Sequence, residues 1–432
     1  METFIELFKT VDWTIGINII STVWNIFKVW WWLTPPIILF FIARKFYLKW
    51  RRKQWFSTVN FVLLRVKIPK EVHRPLRAME QIFSSIWGII YDSPDFREKW
   101  IKGKVPLPIS LEIVGKGGEE TCFFIRVQDV NQDAIESVIH SQYPQAEILP
   151  VEDYVKSVPL ELPNKDWDLW GRDFILSKED VYPIKTYSKF FEEKPEVDVE
   201  KKGKRLDPLG PLLEGMAKLG HGEQIWVQFI IKAVTNEDNN YIDRGKELVN
   251  KLIKRGSKGK PKTILREALE VMITGKPPGF SEEQKSEQPV ITGGERDVIA
   301  AIEEKIGKLA FETNIRVIYL AKRDVYFAPR IKAVIGFFNQ FSTRNLNSIK
   351  TLKKTSTSVD YFMANYRTYL RKKNMFKNYK ERAMIDSKNA FVLDTEELTT
   401  MYHFSGREVI FAPFVPRVEI KKGEAPPELP TE

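Results

Sequence analysis

Apolar residues recur along this chain in two rhythms. From Pro75 they fall at Leu76, Met79, Ile82, Phe83, Ile86, Trp87 and Ile90, a spacing that gathers them on one face of a helix. Before it, Thr58 to Ile68 mixes β-branched and apolar residues and reads as a strand closed by Pro69. Leu107 to Val114 and Thr121 to Val127 predict two more strands, with Lys116-Gly117-Gly118 as the hairpin turn between them. Asp133 to Gln142 returns to helical spacing, with Ile135, Val138 and Ile139 on one face. Pro144 stops it, and Ala146 to Val151 predicts a fourth strand. The order β-α-β-β-α-β is the ferredoxin-like plan, two helices on one face of a four-stranded antiparallel sheet.

The same plan is expected again further on. Leu169 to Leu176 reads as a strand. Lys178 to Arg205 is charged, interrupted by proline, and predicts a surface loop. Asp207-Pro208 opens a helix with Leu209, Leu212, Leu213, Met216 and Leu219 on one face, because Asp caps free N–H groups and Pro suits the first turn. Gln224 to Val234 is a strand. Asn236 to Gly293 reads as an insertion with helices near Tyr241–Arg255 and Thr263–Thr274. A helix carrying Val298, Ile302, Ile306 and Leu309 follows, then a strand at Ile315–Ala321, a helix at Pro329–Phe341 and a closing strand at Asn345–Ile349. Two unrelated α+β domains are the alternative to a duplication.

The N-terminal pattern is of another kind. Trp13 to Ile42 is almost wholly apolar, with Lys28 its one cation, and Arg44, Lys45, Lys49, Arg51, Arg52 and Lys53 follow. About 20 apolar residues suffice for one membrane span. The expectation is a transmembrane helix over about 29–44, with Trp30, Trp31 and Trp32 at one headgroup boundary and Arg44, Lys45, Arg51 and Arg52 at the other. Residues 11–28 either insert or lie on the surface. The positive-inside rule then makes this a single-pass protein of a bacterial inner membrane with its C-terminal bulk in the cytoplasm. A signal peptide would carry its cations ahead of the apolar run and a small-residue cleavage site after it. A buried helical hairpin is the other alternative.

The expected fold class is therefore α+β: an anchor over 1–54, ferredoxin-like domains over 55–155 and 165–350, the second with a helical insertion at 236–293, a basic aromatic helical region with a short C-terminal helix over 351–420, and a disordered tail over 421–432. Asp394 with Glu397 predicts a capping box for that last helix.

Charge and chemistry sharpen this only in places. One cysteine, Cys122, excludes an internal disulfide framework. It sits in an apolar strand, where an inert thiol is expected. His73, His140, His221 and His403 have no metal-ligand spacing, and neither metal nor cofactor is expected. Gly256-Ser257-Lys258-Gly259-Lys260-Pro261-Lys262-Thr263 has the composition of a phosphate loop without its spacing or its preceding strand. Asp166 and Asp168 suit a loop that caps a strand better than a paired-carboxylate site. Nothing in the sequence supports an enzyme.

The net charge of +10 points to an anionic partner, and most of it is concentrated. Residues 342–390 hold twelve Lys or Arg against three acids, interleaved with Tyr361, Phe362, Tyr366, Tyr369, Phe376 and Tyr379. Lys and Arg neutralise phosphates, and aromatic rings stack on unpaired bases. Lys353, Lys354, Arg367, Tyr369, Arg371, Lys372, Lys373 and Lys377 are the candidate nucleic-acid-binding residues. A solvated helix packed through its aromatics and a contact with anionic lipid are the competing readings.

Several stretches together resemble a known family: Val66-Lys67-Ile68-Pro69-Lys70-Glu71, Ala78-Met79-Glu80-Gln81-Ile82-Phe83, Ser141-Gln142-Tyr143-Pro144, Val151-Glu152-Asp153-Tyr154, Gly222-Glu223-Gln224-Ile225-Trp226-Val227-Gln228 and Asp394-Thr395-Glu396-Glu397-Leu398. They are similar to the membrane-anchored region that precedes the motor domain in bacterial type IV secretion or conjugative DNA-transfer ATPases. The likeness covers about 60–420, and its motifs are structural rather than catalytic. In those ATPases a stretch like Ala425-Pro426-Pro427-Glu428-Leu429-Pro430 leads into the nucleotide-binding domain. What the resemblance implies here is a stand-alone, non-catalytic accessory half. Its implied partners are a separate motor ATPase, the bacterial membrane, DNA and, for a ring, further copies of itself. A membrane-tethered nucleic-acid-binding protein outside any secretion system, or a structural adaptor, are the alternatives.

Overall fold

The computed structural model describes residues 34–68, 75–190, 207–256, 292–360, 362–385 and 389–404, with isolated positions between 21 and 32. They fall into two units, Met1–Val59 with Ser93–Val105 and Asn60–Asp92 with Pro106–Glu432.

The first unit corrects the expected anchor. Its helix α1 (Thr34–Phe56) contains the six cations instead of ending before them. The apolar part, Pro35 to Ala43, is nine residues, and at ~1.5 Å per residue it rises about 13 Å. A hydrocarbon core is about 30 Å thick. No helix among the described residues is long and apolar enough to cross a membrane, so the transmembrane helix and the single-pass inner-membrane placement are not supported. Trp32 is described and exposed, whereas Trp30 and Trp31 lie outside the described residues. Two of the cations expected at headgroups make protein contacts. Arg51 Nε donates to Ile101 O at 2.6 Å, and the Arg44 guanidinium lies 4.8 Å from the centre of the Trp100 ring. Lys45 and Arg52 are exposed.

The second unit is built on β1 (Phe61–Lys67), α2 (Leu76–Ile90), β2 (Ile109–Lys116), β3 (Cys122–Gln128), α3 (Gln132–Gln142) and β4 (Glu147–Val151). It continues through β5 (Trp167–Leu176), α4 (Gly210–Ala217), β6 (Glu223–Val234), α5 (Tyr241–Gly256), α6 (Gly293–Ile306), β7 (Ala310–Lys322), α7 (Ile331–Asn339) and β8 (Ile349–Thr351). Last come α8 (Ala364–Lys380), β9 (Phe391–Asp394) and α9 (Thr395–Met401). The expected helix at Thr263–Thr274, the glycine-rich loop after Gly256 and the tail from Lys421 lie outside the described residues.

The expectation of tandem small ferredoxin-like domains is also corrected. All the strands among the described residues belong to one antiparallel nine-stranded sheet in the order β4-β1-β3-β2-β6-β7-β5-β8, with β9 on β7. The reason is the seam. Two separate domains would leave β2 and β6 as edges, each a row of unpaired backbone groups. Here Ile109–Lys116 pairs residue by residue with Gln224–Ile231, and both edges disappear. Within each half the strands lie fourth, first, third, second in chain order, so local order is kept while independence is lost.

Strand alternation gives the sheet two unlike faces. One is covered by α2, α3, α4, α7 and α9. Met79, Ile82, Phe83 and Ile86 of α2 join Leu212, Leu213 and Met216 of α4 and Phe337 and Phe338 of α7 in a single core that crosses the seam. The other face carries buried Ser110, Glu112, Gln228, Arg316 and Asp173. Its apolar cover is a smaller cluster of Trp226, Ile318, Leu320, Tyr154, Met375, Phe376 and Tyr379. Gly171 lets α8 lie this close to β5, since a Cβ there would stand 2.6 Å from Met375 Cγ.

Candidate nucleic-acid interface

Helix α8 is where the basic aromatic segment goes, and its two ends are treated differently. Met375, Phe376 and Tyr379 are buried on the sheet. The helix stops at Glu381, and Arg382 follows with φ 48°. Arg382 N–H donates to Tyr379 O at 3.0 Å and Ala383 N–H to Asn378 O at 3.0 Å. This double bond pattern closes a helix around a left-handed residue, a position that favours glycine. An arginine there strains the backbone by roughly 1–2 kcal/mol, so its side chain must compensate.

That side chain reaches the buried face. Arg382 Nε donates to Glu112 Oε1 at 3.0 Å and Nη2 to Glu112 Oε2 at 3.2 Å. Nη2 also donates to Asp153 Oδ1 at 2.9 Å, and Nη1 meets Asp153 Oδ2. Glu112, 0% exposed, accepts further bonds from Ser110 Oγ at 2.6 Å, Tyr154 OH at 2.8 Å and Gln228 Nε2 at 2.9 Å. Because the Tyr154 proton is given to Glu112, the Tyr379 hydroxyl, 2.6 Å away, donates to Tyr154. Burial by itself would push the Glu112 and Asp153 carboxyls up. The Arg382 charge and its hydrogen bonds outweigh burial and hold both below their ordinary values. Burial, reinforced by the Glu112 charge, pushes the Tyr154 and Tyr379 hydroxyls well up, so they stay protonated.

A second arginine holds the same helix end from the sheet. Arg316 Nε pairs with Asp173 Oδ1 at 2.8 Å, while its Nη1 donates to Asn378 O at 2.9 Å and Ala383 O at 3.1 Å. Cations suit the carbonyls at a helix C-terminus. The register aligns these groups in one row: Arg65 opposite Phe124, Phe124 opposite Glu112, Glu112 opposite Gln228, Gln228 opposite Arg316, and Arg316 opposite Asp173. Glu112, Asp153, Arg316 and Arg382 are thus the residues that position the helix. The sequence signal was the run of polar residues at alternate positions inside otherwise apolar strands; only pairing shows that they meet.

The rest of α8 faces outward. Phe362, just ahead of the helix, is 77% exposed and Tyr366, in its first turn, 59%, too much for rings that serve only as core. Of the candidate residues, Lys353, Lys354, Arg367, Tyr369, Lys373 and Lys377 are exposed. Lys373 and Lys377 make only long ion pairs, at 3.9 Å to Glu161 and 4.0 Å to Glu381, which contribute little at a surface. Lys372 and Arg371 are half-buried. Lys372 Nζ lies 2.6 Å from Asp168 Oδ1, and Arg371 Nη1 donates to Ser356 O at 3.0 Å. Asp168 is therefore an ion-pair acceptor for α8 rather than half of a carboxylate pair.

The capping box at Asp394 forms, with Glu397 N–H donating to Asp394 Oδ1 at 2.7 Å. It is buried beside Lys305, whose Nζ stands 2.8 Å from Glu397 Oε2. Burial, then the Glu397 charge, pushes the Asp394 carboxyl well up. Cys122 is half-buried, and burial pushes its thiol up. Among the described residues no group of three or more His, Cys, Asp or Glu is placed to hold a metal.

Residues 62–405 match the model of a protein family described as a domain of unknown function, DUF8128. No curated protein matches the chain. The match spans most of the chain, and the protein belongs to that family.

Proposed function

We propose that this member of the DUF8128 family is a non-catalytic DNA-handling component that works beside a separate motor ATPase, and that α8 is its contact with DNA. The observation that carries the reading is the division of labour along α8. Its end is fastened by Arg382 and Arg316, while Tyr366, Tyr369, Lys373 and Lys377 on the helix, and Phe362 just ahead of it, are left outside. Rings that stack on unpaired bases beside cations that neutralise phosphates suit single-stranded nucleic acid. A fastened helix meets its ligand without first having to be ordered, which raises affinity. The resemblance to the region preceding DNA-transfer motors supports the choice of DNA and of an ATPase partner. On the polar face Arg316 is occupied with Asp173, and Arg382 with Glu112 and Asp153, in keeping with a scaffold.

The test is a salt titration of single-stranded and duplex DNA binding by the full chain. Salt-steep binding to single strands is expected. Replacing Lys373 and Lys377 with Ser removes two phosphate contacts and flattens the plot of log K against log salt by about 0.7 per contact. Tyr369→Ala lowers affinity by roughly 1–3 kcal/mol if a base stacks there. Absence of binding at low salt would overturn the DNA reading and leave the outer face of α8 to a protein.

A further inference from the structure

We propose that Lys372 of α8 and Arg323, just past the end of β7, form a phosphate subsite for which the Asp168 carboxylate competes. Both cations reach that one carboxylate. Lys372 Nζ stands 2.6 Å from Asp168 Oδ1, and Arg323 Nη1 stands 3.9 Å from Oδ2. Two cations on one carboxylate leave an excess of positive charge. An ammonium and a guanidinium gathered on a single anion suit a phosphate group, which the arginine fork favours.

Neither cation depends on Asp168 for its place. Arg323 N–H donates to Asp166 O at 2.8 Å, and Arg323 Nε donates to Asn164 O at 2.9 Å. That loop is itself folded on Asn164, whose Oδ1 accepts from the N–H groups of Asp166 at 2.9 Å and Trp167 at 2.7 Å. Lys372 follows Arg371, which is held on Ser356 O, and it belongs to a helix fastened at its C-terminal end by Arg316 and Arg382. What Asp168 adds is therefore charge. The Arg323 side chain is half-exposed, so solvent reaches the group. A partly exposed ion pair stabilises little, and exchanging its anion costs correspondingly little. Tyr369 lies one turn before Lys372 on the helix, where residues three apart are neighbours. The subsite thus adjoins a ring offered to a base. Its part in holding a nucleic-acid strand rests on the reading of α8 as a DNA contact.

The ligand chemistry is a phosphate group, supplied either by a nucleic-acid backbone or by a free polyphosphate. Anisotropy of a labelled oligothymidylate at several salt concentrations reads the first. Thermal unfolding of the full chain with and without tripolyphosphate reads the second. Asp168→Asn keeps an oxygen for the Leu169 N–H, which Asp168 Oδ1 accepts at 2.8 Å, and removes the competing charge. It should steepen the oligothymidylate salt slope by about 0.7 for each cation set free and bring a tripolyphosphate-dependent rise in Tm. Both gains should vanish when Arg323→Ser and Lys372→Ser are added. Glu161→Gln, which removes an acid 3.9 Å from Lys373, should give a smaller change. A gain that survives loss of both cations, or one no larger than that of Glu161→Gln, overturns the subsite. Arg323→Ser with Lys372→Ser on the natural sequence should leave the slope unaltered, because Asp168 already neutralises part of their charge; a flattened slope there overturns the competition without recourse to the Asp168 variant. Oligothymidylate binding that needs Lys373 and Lys377 but ignores Asp168→Asn keeps the function proposed for α8 and removes the subsite. A tripolyphosphate response of Asp168→Asn that needs both cations, with no oligothymidylate binding by any form, keeps the subsite and removes the DNA reading.

Discussion

The two faces of the sheet are assembled on opposite principles. The helix-covered face is held by apolar side chains from five helices in one core that spans the seam. The polar face is held by a row of charged and amide groups that reach a single helix through Arg316 and Arg382. An apolar core tolerates small shifts, since its attraction has no direction. A buried ion pair does not: it holds only in one geometry, and losing one partner strands the other charge. The difference suggests that the first face carries the fold and the second carries the placement of α8.

The sharpest way to break the comparison is one substitution on each side. Phe83→Ala should destabilise the whole second unit by about 3–5 kcal/mol, as removal of a buried ring does. Arg382→Met should reach a similar size, about 3–5 kcal/mol, because Glu112 is left buried and unpaired. The distribution is what separates them. Hydrogen exchange should rise across all strands in the first variant, and chiefly over residues 364–383 in the second. Equal exposure of the strands in both would refute the division of roles.

A smaller effect isolates the backbone at the junction. Arg382→Ala and Arg382→Gly both delete the ion pairs, but glycine relieves the left-handed residue at φ 48°. The glycine variant should be the more stable of the two by roughly 1–2 kcal/mol, measured by urea unfolding. Equal stabilities would mean that the strain is not there.

The subtlest difference is in response to pH. Glu112 and Asp153 are held low in the folded chain, so what they contribute is present above the ordinary carboxylate range and lost as pH falls through their folded values. Asp394, at the end of β9, is held high. Its contribution is complete below the ordinary range and lost as pH rises through its folded value. Asp394→Asn keeps a capping side chain and should remove the loss on the alkaline side while leaving acid unfolding in place. An unaltered stability profile would place that titration elsewhere.

Most elements were legible in the chain because their evidence is local. Met79, Ile82, Phe83 and Ile86 share a helix face whatever lies opposite, and Asp394 with Glu397 signals a helix start wherever the helix is placed. The apolar run ending at Ile42 misled because composition alone does not say where a helix begins. With Arg44 to Lys53 inside α1, its apolar part is too short to cross a membrane. Likewise β9 was missed, since Phe391–Asp394 is four residues whose strand character comes from pairing with β7. At the candidate interface, the sequence pointed to the segment but not to the individual roles. Lys372 and Arg371 look like their exposed neighbours until Asp168 and Ser356 are brought beneath them.

What the sequence determined by itself was the set of elements, the side of each that is apolar, and the concentration of positive charge near the C-terminus, because periodicity and composition are properties of neighbours along the chain. Tertiary structure alone decided that β2 and β6 join two halves into one sheet and that Arg382 meets Glu112 across 270 residues. It also decided which cations of α8 are left facing outward. Those outcomes depend on strand edges and buried charges finding partners far away in sequence, and the strength of such pairing comes from removing both groups from water together.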